Sequence, residues 1–562
     1  MTFVNFNLKL RTEILRALCF FGNGKIDKRS KLRRAIRYDR NHQTAKGELT
    51  VANINRRLTQ QEIDIGEGPI SKHFLGLTCQ VPDELVIRQF LLTRFSGLKL
   101  NYALQVALAS PDSKIIHPLP KEWQRLFESL GLRVAAHRCT CLFFIKIFLI
   151  WGYGVFEIIR HIWFQILFLI RFWLGGAKVQ KAPYVFFSGL QPNNVNKPGV
   201  EPLFDIISWY LQWEGKNELA TTLCHDCFHR SNSFLHGQNT VKFQKNPTPP
   251  LEKINQLFQF ASWGLASIFQ SCLNLAVGNW WYGLLLYQTP KARLMSLSEA
   301  NSVAKQYLFS NSTMFVRPLW TYEAEAKGAS VTLYFYSTNS EPHKTRLGYL
   351  NPIHGFKLMN WPEYLVWNKP HEKYVQRSKH SSLGKTRIVG PVWIFDSPKP
   401  LPVFTKDVIS VFDVSPRRPT QYTCLGLDDQ YVSFKTIEMF FDDILKASEE
   451  FDADLICKPK REIMNVTSGV FDSRYINKIK KMQAKSQWTI ASSDISSQRL
   501  IKVSRAVVAL PFSSVAHVAK DMGVPSVYYD PIGCIFSDDR ASHGIKIICG
   551  VDELQNWMAK NI

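Results

Sequence analysis

Residues 507–530 read V-V-A-L-P-F-S-S-V-A-H-V-A-K-D-M-G-V-P-S-V-Y-Y-D, and they constrain the fold more than any other stretch. Ala506–Leu510 is an apolar run with the composition and length of a strand buried on both faces. Pro511 ends it, and two hydroxyls follow at Ser513 and Ser514. Val515, Val518, Ala519 and Met522 then recur at the spacing of a helix packed on a sheet. Gly523 and Pro525 stop that helix, and Ser526–Tyr529 opens a second strand. The pattern is a βαβ unit, which requires a parallel sheet. Its helix opens on hydroxyls and unpaired backbone N–H groups, a setting that suits a phosphate. An ordinary βαβ unit with a capping serine gives the same pattern, so the neighbouring residues must decide.

Upstream, Asp454-Leu-Ile-Cys-Lys-Pro-Lys-Arg-Glu462 reads as a strand running into three cations, Lys458, Lys460 and Arg461. Downstream stand Tyr528-Tyr-Asp-Pro531, His543-Gly-Ile545 and Glu553-Leu-Gln-Asn-Trp557. Earlier come Trp320-Thr-Tyr-Glu-Ala-Glu325, Tyr334-Phe-Tyr-Ser-Thr-Asn339, Asn360-Trp-Pro-Glu-Tyr-Leu-Val-Trp367 and Val411-Phe-Asp-Val414. Together these resemble the bacterial surface-polysaccharide biosynthesis proteins named for a Pro-Phe-Thr-Ser motif, present here as Pro511-Phe-Ser-Ser514 with both hydroxyls kept. The resemblance is dense from about Arg317 to Trp557 and absent over the first 80 residues.

That resemblance implies a glycosyltransferase of the GT-B architecture, with two Rossmann-like lobes of α/β class. It implies a nucleotide-sugar donor, a lipid-linked or growing glycan acceptor, and no metal or other cofactor. In doubly wound sheets ligands sit outside the carboxyl ends of the strands. Lys458, Lys460, Arg461, Ser513 and Ser514 are expected at such ends, around the donor phosphates, with His543 as a further contact. Cations placed there stabilise charge that develops on the leaving group. An acceptor hydroxyl needs a general base. Glu323 and Glu325, in a Trp/Tyr setting, are the first candidates, and Glu363 is the next. A glutamate in the first turn of a helix also serves as a dipole partner. Asp452-Ala-Asp454 precedes a strand and reads as a turn rather than a metal motif. The pairs Asp442-Asp443 and Asp538-Asp539 read as a helix face and a loop.

Lys and Arg total 69 against 46 Asp and Glu, a net charge of +23 that calls for an anionic partner. The surplus is concentrated early, since Lys25–Arg40 holds eight cations against two anions. Phe3–Phe21 beside it reads as an amphipathic helix, and the combination suits an anionic membrane surface. The patch carries a single aromatic, Tyr38, and no nucleic-acid recognition motif, so no nucleic-acid partner is expected. A solvated basic arm remains the alternative.

Cys141–Leu174 is dominated by Phe, Ile, Leu and Trp. At about 100° per residue, Lys146, Glu157, Arg160, His161, Gln165 and Arg171 fall within one arc of about 140°. Five charged or titratable groups argue against a lipid-spanning helix. One helix, or two broken at Gly152/Gly154, lying in the membrane interface fits better; a buried core helix with a polar edge is the alternative. Ile254–Pro290 has 37 residues and no charge, and its polar residues leave core and membrane contact both open. No secretory signal is expected from the opening residues. The implied location is the cytoplasmic face of the bacterial inner membrane.

The expected organisation is a basic region over 1–84, a first lobe over 85–384 interrupted by an apolar insert at 138–176, and a second, donor-binding lobe over 385–562. The 11 cysteines show no disulfide framework. Cys224-His-Asp-Cys227-Phe-His229, with His236, offers soft ligands, but its spacing is too cramped for an ordinary zinc site. Two function classes stay open: a glycosyltransferase, and a non-catalytic, membrane-docked partner in the same pathway.

Overall fold

In the computed structural model, the described residues are 50–58, 61, 94–110, 112–190, 205–214, 222–227, 234–236, 239–312, 314, 316–345, 348–349, 356–379, 384–393, 399–419, 422, 430–462, 471–484 and 488–562. The basic run Lys25–Arg40, the helix expected at Phe3–Phe21 and His229 lie outside them.

Sixteen strands are described. They are β1 (Tyr184–Leu190), β2 (Thr222–Cys227), β3 (Phe234–His236), β4 (Asn239–Phe243), β5 (Gln306–Ser310), β6 (Ser330–Tyr334), β7 (Lys344–Thr345), β8 (Gly348–Tyr349), β9 (Glu363–Val366) and β10 (Lys385–Ile388). Then follow β11 (Asp407–Phe412), β12 (Ala453–Cys457), β13 (Trp488–Ile490), β14 (Ala506–Ala509), β15 (Ser526–Asp530) and β16 (Ile547–Cys549). The second sheet has the order β13-β12-β11-β14-β15-β16, and every pairing in it is parallel. Counted from β11 this is 3-2-1-4-5-6, the doubly wound order whose direction reverses between the first and fourth strands. The first sheet, β10-β9-β6-β5-β1-β2-β4-β3, reverses in the same way between β1 and β5, and only β3 runs antiparallel. Two Rossmann-like lobes follow from strand order alone.

The strands form because they read as unbroken apolar runs, as strands covered on both faces must. β5 is buried throughout, as are β14 and most of β1. β5 is the Tyr-Leu-Phe run flanked by Gln306 and Ser310, and Trp320 opens a helix ten residues later. The lobe boundary expected at 384/385 moves. β10 pairs with β9, so the first sheet extends to Ile388. Phe95–Phe143 groups with Val51–Leu58 into a separate small compact unit rather than with the first lobe.

Ala136–Trp173 is one continuous helix (α1) of 38 residues, unbroken at Gly152 and Gly154. By length and composition it is sufficient to cross a membrane. From residue 144 onward it packs on Ile254–Ala276 (α2). Trp151 donates its indole N–H to Ser271 at 2.8 Å, and Gly264 lets Ile158 approach so closely that a Cβ there would lie 2.6 Å from it. The middle of the polar arc is turned inward, whereas Arg171 at its end is exposed. Glu157, His161 and Gln165 are buried; Glu157 pairs with Arg160, and Gln165 accepts from the Leu251 N–H at 2.9 Å. The outward stripe is Phe148, Phe156, Ile159, Trp163, Ile170 and Trp173, each 42–62% exposed. α2 adds Phe258, Leu265, Phe269 and Leu273.

The lobes meet around one carboxylate. Glu341, from the first lobe, is buried and accepts from Arg377 of the same lobe at 2.6 Å. From the second lobe, Arg540 reaches it at 2.8 Å and His543 at 2.8 Å. Burial alone pushes the Glu341 carboxyl up, but His543 and Arg377 outweigh it and hold it below the ordinary range.

Two expectations follow. Gly154→Ala places a Cβ 2.9 Å from the backbone of Leu286 and Tyr287 and should destabilise by about 1–3 kcal/mol, whereas Gly152→Ala meets open space and should be neutral or stabilising by up to about 1 kcal/mol. Thermal unfolding of the pair separates close packing from helix propensity. Glu341→Ala removes the acceptor shared by the half-exposed Arg377 and Arg540 and the buried His543 and should cost about 1–3 kcal/mol, with the melting temperature falling accordingly.

Candidate functional site

The carboxyl ends of β11, β12 and β14 converge at the reversal of the second sheet. Phe412 closes β11, and Asp413 follows it, 2% exposed. Ser415, with φ at 48°, turns the chain, and its hydroxyl accepts from the Lys460 backbone N–H at 3.1 Å. The turn after β12 is thereby tied to the turn after β11, with Lys458 and Lys460 beside Asp413. Lys458 is half-buried and Lys460 exposed. Desolvation lowers both ammonium pKa values, with Asp413 opposing it. Desolvation raises the Asp413 carboxyl to about 6, against the Tyr475 hydroxyl, the Ser415 N–H and the two lysines.

After β14 the chain enters Pro511-Phe512-Ser513-Ser514. Phe512 has φ at 65°, a region that a bulky residue occupies at a cost of about 1–3 kcal/mol and that clusters at functional sites. The turn is held from below, where the Tyr528 hydroxyl donates to the Ser513 carbonyl at 2.9 Å. It is also held from the first lobe. His343 stacks on Phe512 at 5.7 Å between ring centroids, and Tyr431 meets both rings at 5.5 Å. Ser514 accepts from the Thr338 backbone N–H at 3.1 Å. Its hydroxyl therefore ties the lobes together instead of capping its own helix, Val515–Asp521, where no side-chain cap forms.

The first lobe presents the matching ends. Asn311, just past β5, accepts from the Tyr336 N–H at 3.0 Å, and Ser310 and Ser312 share a hydrogen bond of 2.8 Å. Ser337, Thr338 and Asn339 follow β6. This crevice is rich in hydroxyls and amides on one side and carries lysines on the other.

The expected site residues divide. Lys458, Lys460, Ser513 and Ser514 come together at the reversal, and Arg461 stands next to Lys460, exposed. His543 does not line the crevice: it is buried, bonded to Glu341 and stacked against His371 at 5.5 Å. The three glutamates hold structure. Glu323 is buried in the helix Trp320–Ala326, which packs on Thr289–Leu297, with Arg293 as its charge partner. Glu325 pairs with Arg317, whose guanidinium lies 3.8 Å from the Tyr322 ring centroid. Glu363 is the first residue of β9, at the amino end of the sheet and opposite the crevice, where it binds Arg387 and accepts from Thr332 at 2.9 Å. Local sequence does not distinguish a helix-opening glutamate that faces a ligand from one that faces a neighbouring helix. His343 and Asp413 were missed for a related reason: the one lies in a turn after a strand, and the other is a lone acid at a strand end.

Cys224 and His225 are buried in β2, a central strand, where successive side chains face opposite sides of the sheet. Among the described residues no group of three His, Cys, Asp or Glu side chains is placed to hold a metal ion. Asp452 pairs with Lys406 at 2.5 Å, and Asp443 accepts from the Tyr529 hydroxyl at 2.7 Å.

The Asp413 shift has a pH signature. A carboxyl raised from 3.8 to about 6 binds protons more tightly folded than unfolded, so it is destabilising once ionised. Stability from this group is fully present below about pH 4 and declines as pH rises through 6. Asp413→Asn should therefore raise the melting temperature at pH 7 and lose that advantage at pH 4, as followed by calorimetry across the range.

Comparison with known proteins gives three results. Structures to which the chain is similar include an Escherichia coli trehalose-6-phosphate protein bound with UDP-2-fluoro glucose (10% identity, 67% of this chain and 91% of that one, TM-score 0.34). Others are the wall teichoic acid polymerase TagF (10%, 61% and 70%, 0.31) and a UDP-forming trehalose-phosphate synthase from Burkholderia xenovorans (11%, 67% and 92%, 0.31). No curated protein matches the sequence. Residues 263–558, more than half of the chain and the span that holds the crevice, match the model of the polysaccharide biosynthesis PFTS motif proteins, and the chain belongs to that family.

Proposed function

We propose that the protein is a glycosyltransferase of surface-polysaccharide synthesis, using a nucleotide-sugar donor. The observation that carries this reading is the placement of the Pro-Phe-Ser-Ser turn, strained at Phe512, at the reversal point of a 3-2-1-4-5-6 sheet whose adjoining strand end carries Asp413 with Lys458 and Lys460 beside it. Ligands of doubly wound sheets bind at that point. As the glycosidic bond of the donor breaks, charge grows on the departing phosphate, and lysines fixed there favour the transition state over the ground state. Membership in a polysaccharide biosynthesis family supports the same substrate class.

The acceptor hydroxyl requires a base. With Glu323, Glu325 and Glu363 occupied structurally, His343 is the titratable group that the first lobe sets against Phe512. Imidazole suits the role near neutral pH. The reaction as proposed needs no metal.

The reading extends to the cytoplasmic membrane surface, on the strength of the outward stripe of α1. That helix is about 57 Å long, nearly twice the ~30 Å of hydrocarbon, and its inner face is packed with Glu157 and His161. A helix held to protein along one side and apolar on the other suits the interface better than the bilayer core.

Lys458→Ala combined with Lys460→Ala should lower transfer from UDP-, GDP- or CMP-sugars to a membrane acceptor by about 10²–10³-fold and weaken nucleotide protection against heat. Turnover equal to wild type would remove the crevice assignment. His343→Gln should spare donor binding while reducing transfer by about 10²–10⁴-fold. Phe148→Asp with Trp163→Asp should release the protein from inner-membrane vesicles. Undiminished sedimentation would show that the stripe is not the membrane contact.

A further inference from the structure

A cavity of about 650 Å³ opens against the inner side of α1, at the opposite end of the first sheet from the crevice. Tyr184, the first residue of β1, and Ser302, ahead of β5, place it at the amino ends of those strands. Cys224 and Phe243, which also line it, stand at the level of Phe186 and Phe187, so about 10 Å separates it from the carboxyl end of β1 at Leu190. It is therefore not the donor site.

Its chemistry is one-sided. Lys178, Lys181, Lys242 and Lys245 line it, and no Asp or Glu is among its lining residues. Lys181 is held by Glu252 at 2.5 Å, and Lys242 donates to Gln180 at 3.3 Å. His161 also lines the cavity; it is 4% exposed, and its Nε2 has no hydrogen-bond partner, the nearest charge being Glu157 at 3.6 Å. Four ammonium groups with no carboxylate among the lining favour an oxygen-rich anion, while the His161 Nε2 faces Glu157.

The rest of the lining mixes amides and hydroxyls with apolar side chains, and its apolar part on α1 reaches the outer surface. Phe164 and Phe168 of α1 line the cavity, and Phe164 is 46% exposed. Trp163, Ile170, Trp173 and Leu174, each 47–81% exposed, extend the apolar surface along the same part of the helix. A freely soluble phosphate has no use for that surface. A molecule with an anionic head and a hydrocarbon tail matches both parts.

We infer that this cavity binds the phosphate or diphosphate head of a membrane lipid, with its chain lying along the exposed face of α1. The site deepens the proposed function, on which it rests for its biological meaning, by naming the chemistry of the anchor that carries the glycan. It acts as a docking point, because it opens at the amino ends of β1 and β5 rather than at the carboxyl ends that form the donor crevice.

Vesicle flotation of the full chain tests the inference without any measurement of turnover, so it succeeds or fails separately from the glycosyltransferase reading. Phosphatidylcholine vesicles are doped either with a polyprenyl phosphate or, at matched surface charge, with phosphatidylglycerol. Wild type should float with the phosphomonoester vesicles at least tenfold better. Charge reversal at the exposed Lys178→Glu and Lys245→Glu should abolish that preference while leaving phosphatidylglycerol binding in place, since the α1 stripe and other cations still act. His161→Phe, which fills the wall with an apolar ring, should weaken the preference with the surface lysines intact. Equal binding of wild type to both vesicles overturns the inference, as does a preference that survives the lysine reversal. Thermal stabilisation by inorganic pyrophosphate with no vesicle preference would identify a free-anion site and overturn the lipid assignment.

Discussion

The contact on which the two-lobe arrangement turns is the carboxylate of Glu341, buried among Arg377, Arg540 and His543. A charge out of water is tolerated only where its lone pairs are filled, and these partners come from both lobes. Such a cluster adds little net stability, because desolvation consumes much of its attraction. It does specify geometry: a rotation of one lobe against the other would leave a buried charge unpaired. Thr338 to Ser514 and His343 to Phe512 then complete an interface whose register brings the carboxyl ends of both sheets to one crevice.

Surrounding that tie is an unusual set of imidazoles. His371, His517 and His543 are all buried, with ring centroids 5.5 Å and 5.8 Å apart for the pairs that involve His543. Desolvation and the neighbouring rings hold His371 well below its ordinary range and His517 at about 3. They are uncharged packing groups at neutral pH, and only His543 meets a carboxylate.

The helix α1 illustrates how a hydrophobic pattern can fix the arcs of a helix while leaving its segmentation open. The inward polar arc and the outward apolar stripe both follow from counting about 100° per residue. Gly152 and Gly154 suggested a break, yet the helix continues. Gly154 is small because Leu286 and Tyr287 press their backbone against it, while Gly152 faces open space. A glycine in a helix marks either weakness or close approach, and the sequence window does not contain the neighbour that decides.

By itself, the sequence determined the class of the fold, the βαβ unit around Pro511–Ser514, the cations after β12 and the two-sided character of Cys141–Leu174. Each of these rests on periodicity or turn chemistry within one or two elements, which is local information. Only the tertiary structure decided which side chains face a ligand. Glu323, Glu325, Glu363 and His543 have the right chemistry for a site, but packing hands them Arg293, Arg317, Arg387 and Glu341 as partners. Arg317 lies eight residues from Glu325, whereas Glu341 lies 202 residues from His543, beyond any local pattern. The strand order that makes Phe512 and Asp413 neighbours is non-local for the same reason: parallel strands are joined through crossovers, so the residues that meet at the reversal are never adjacent in sequence.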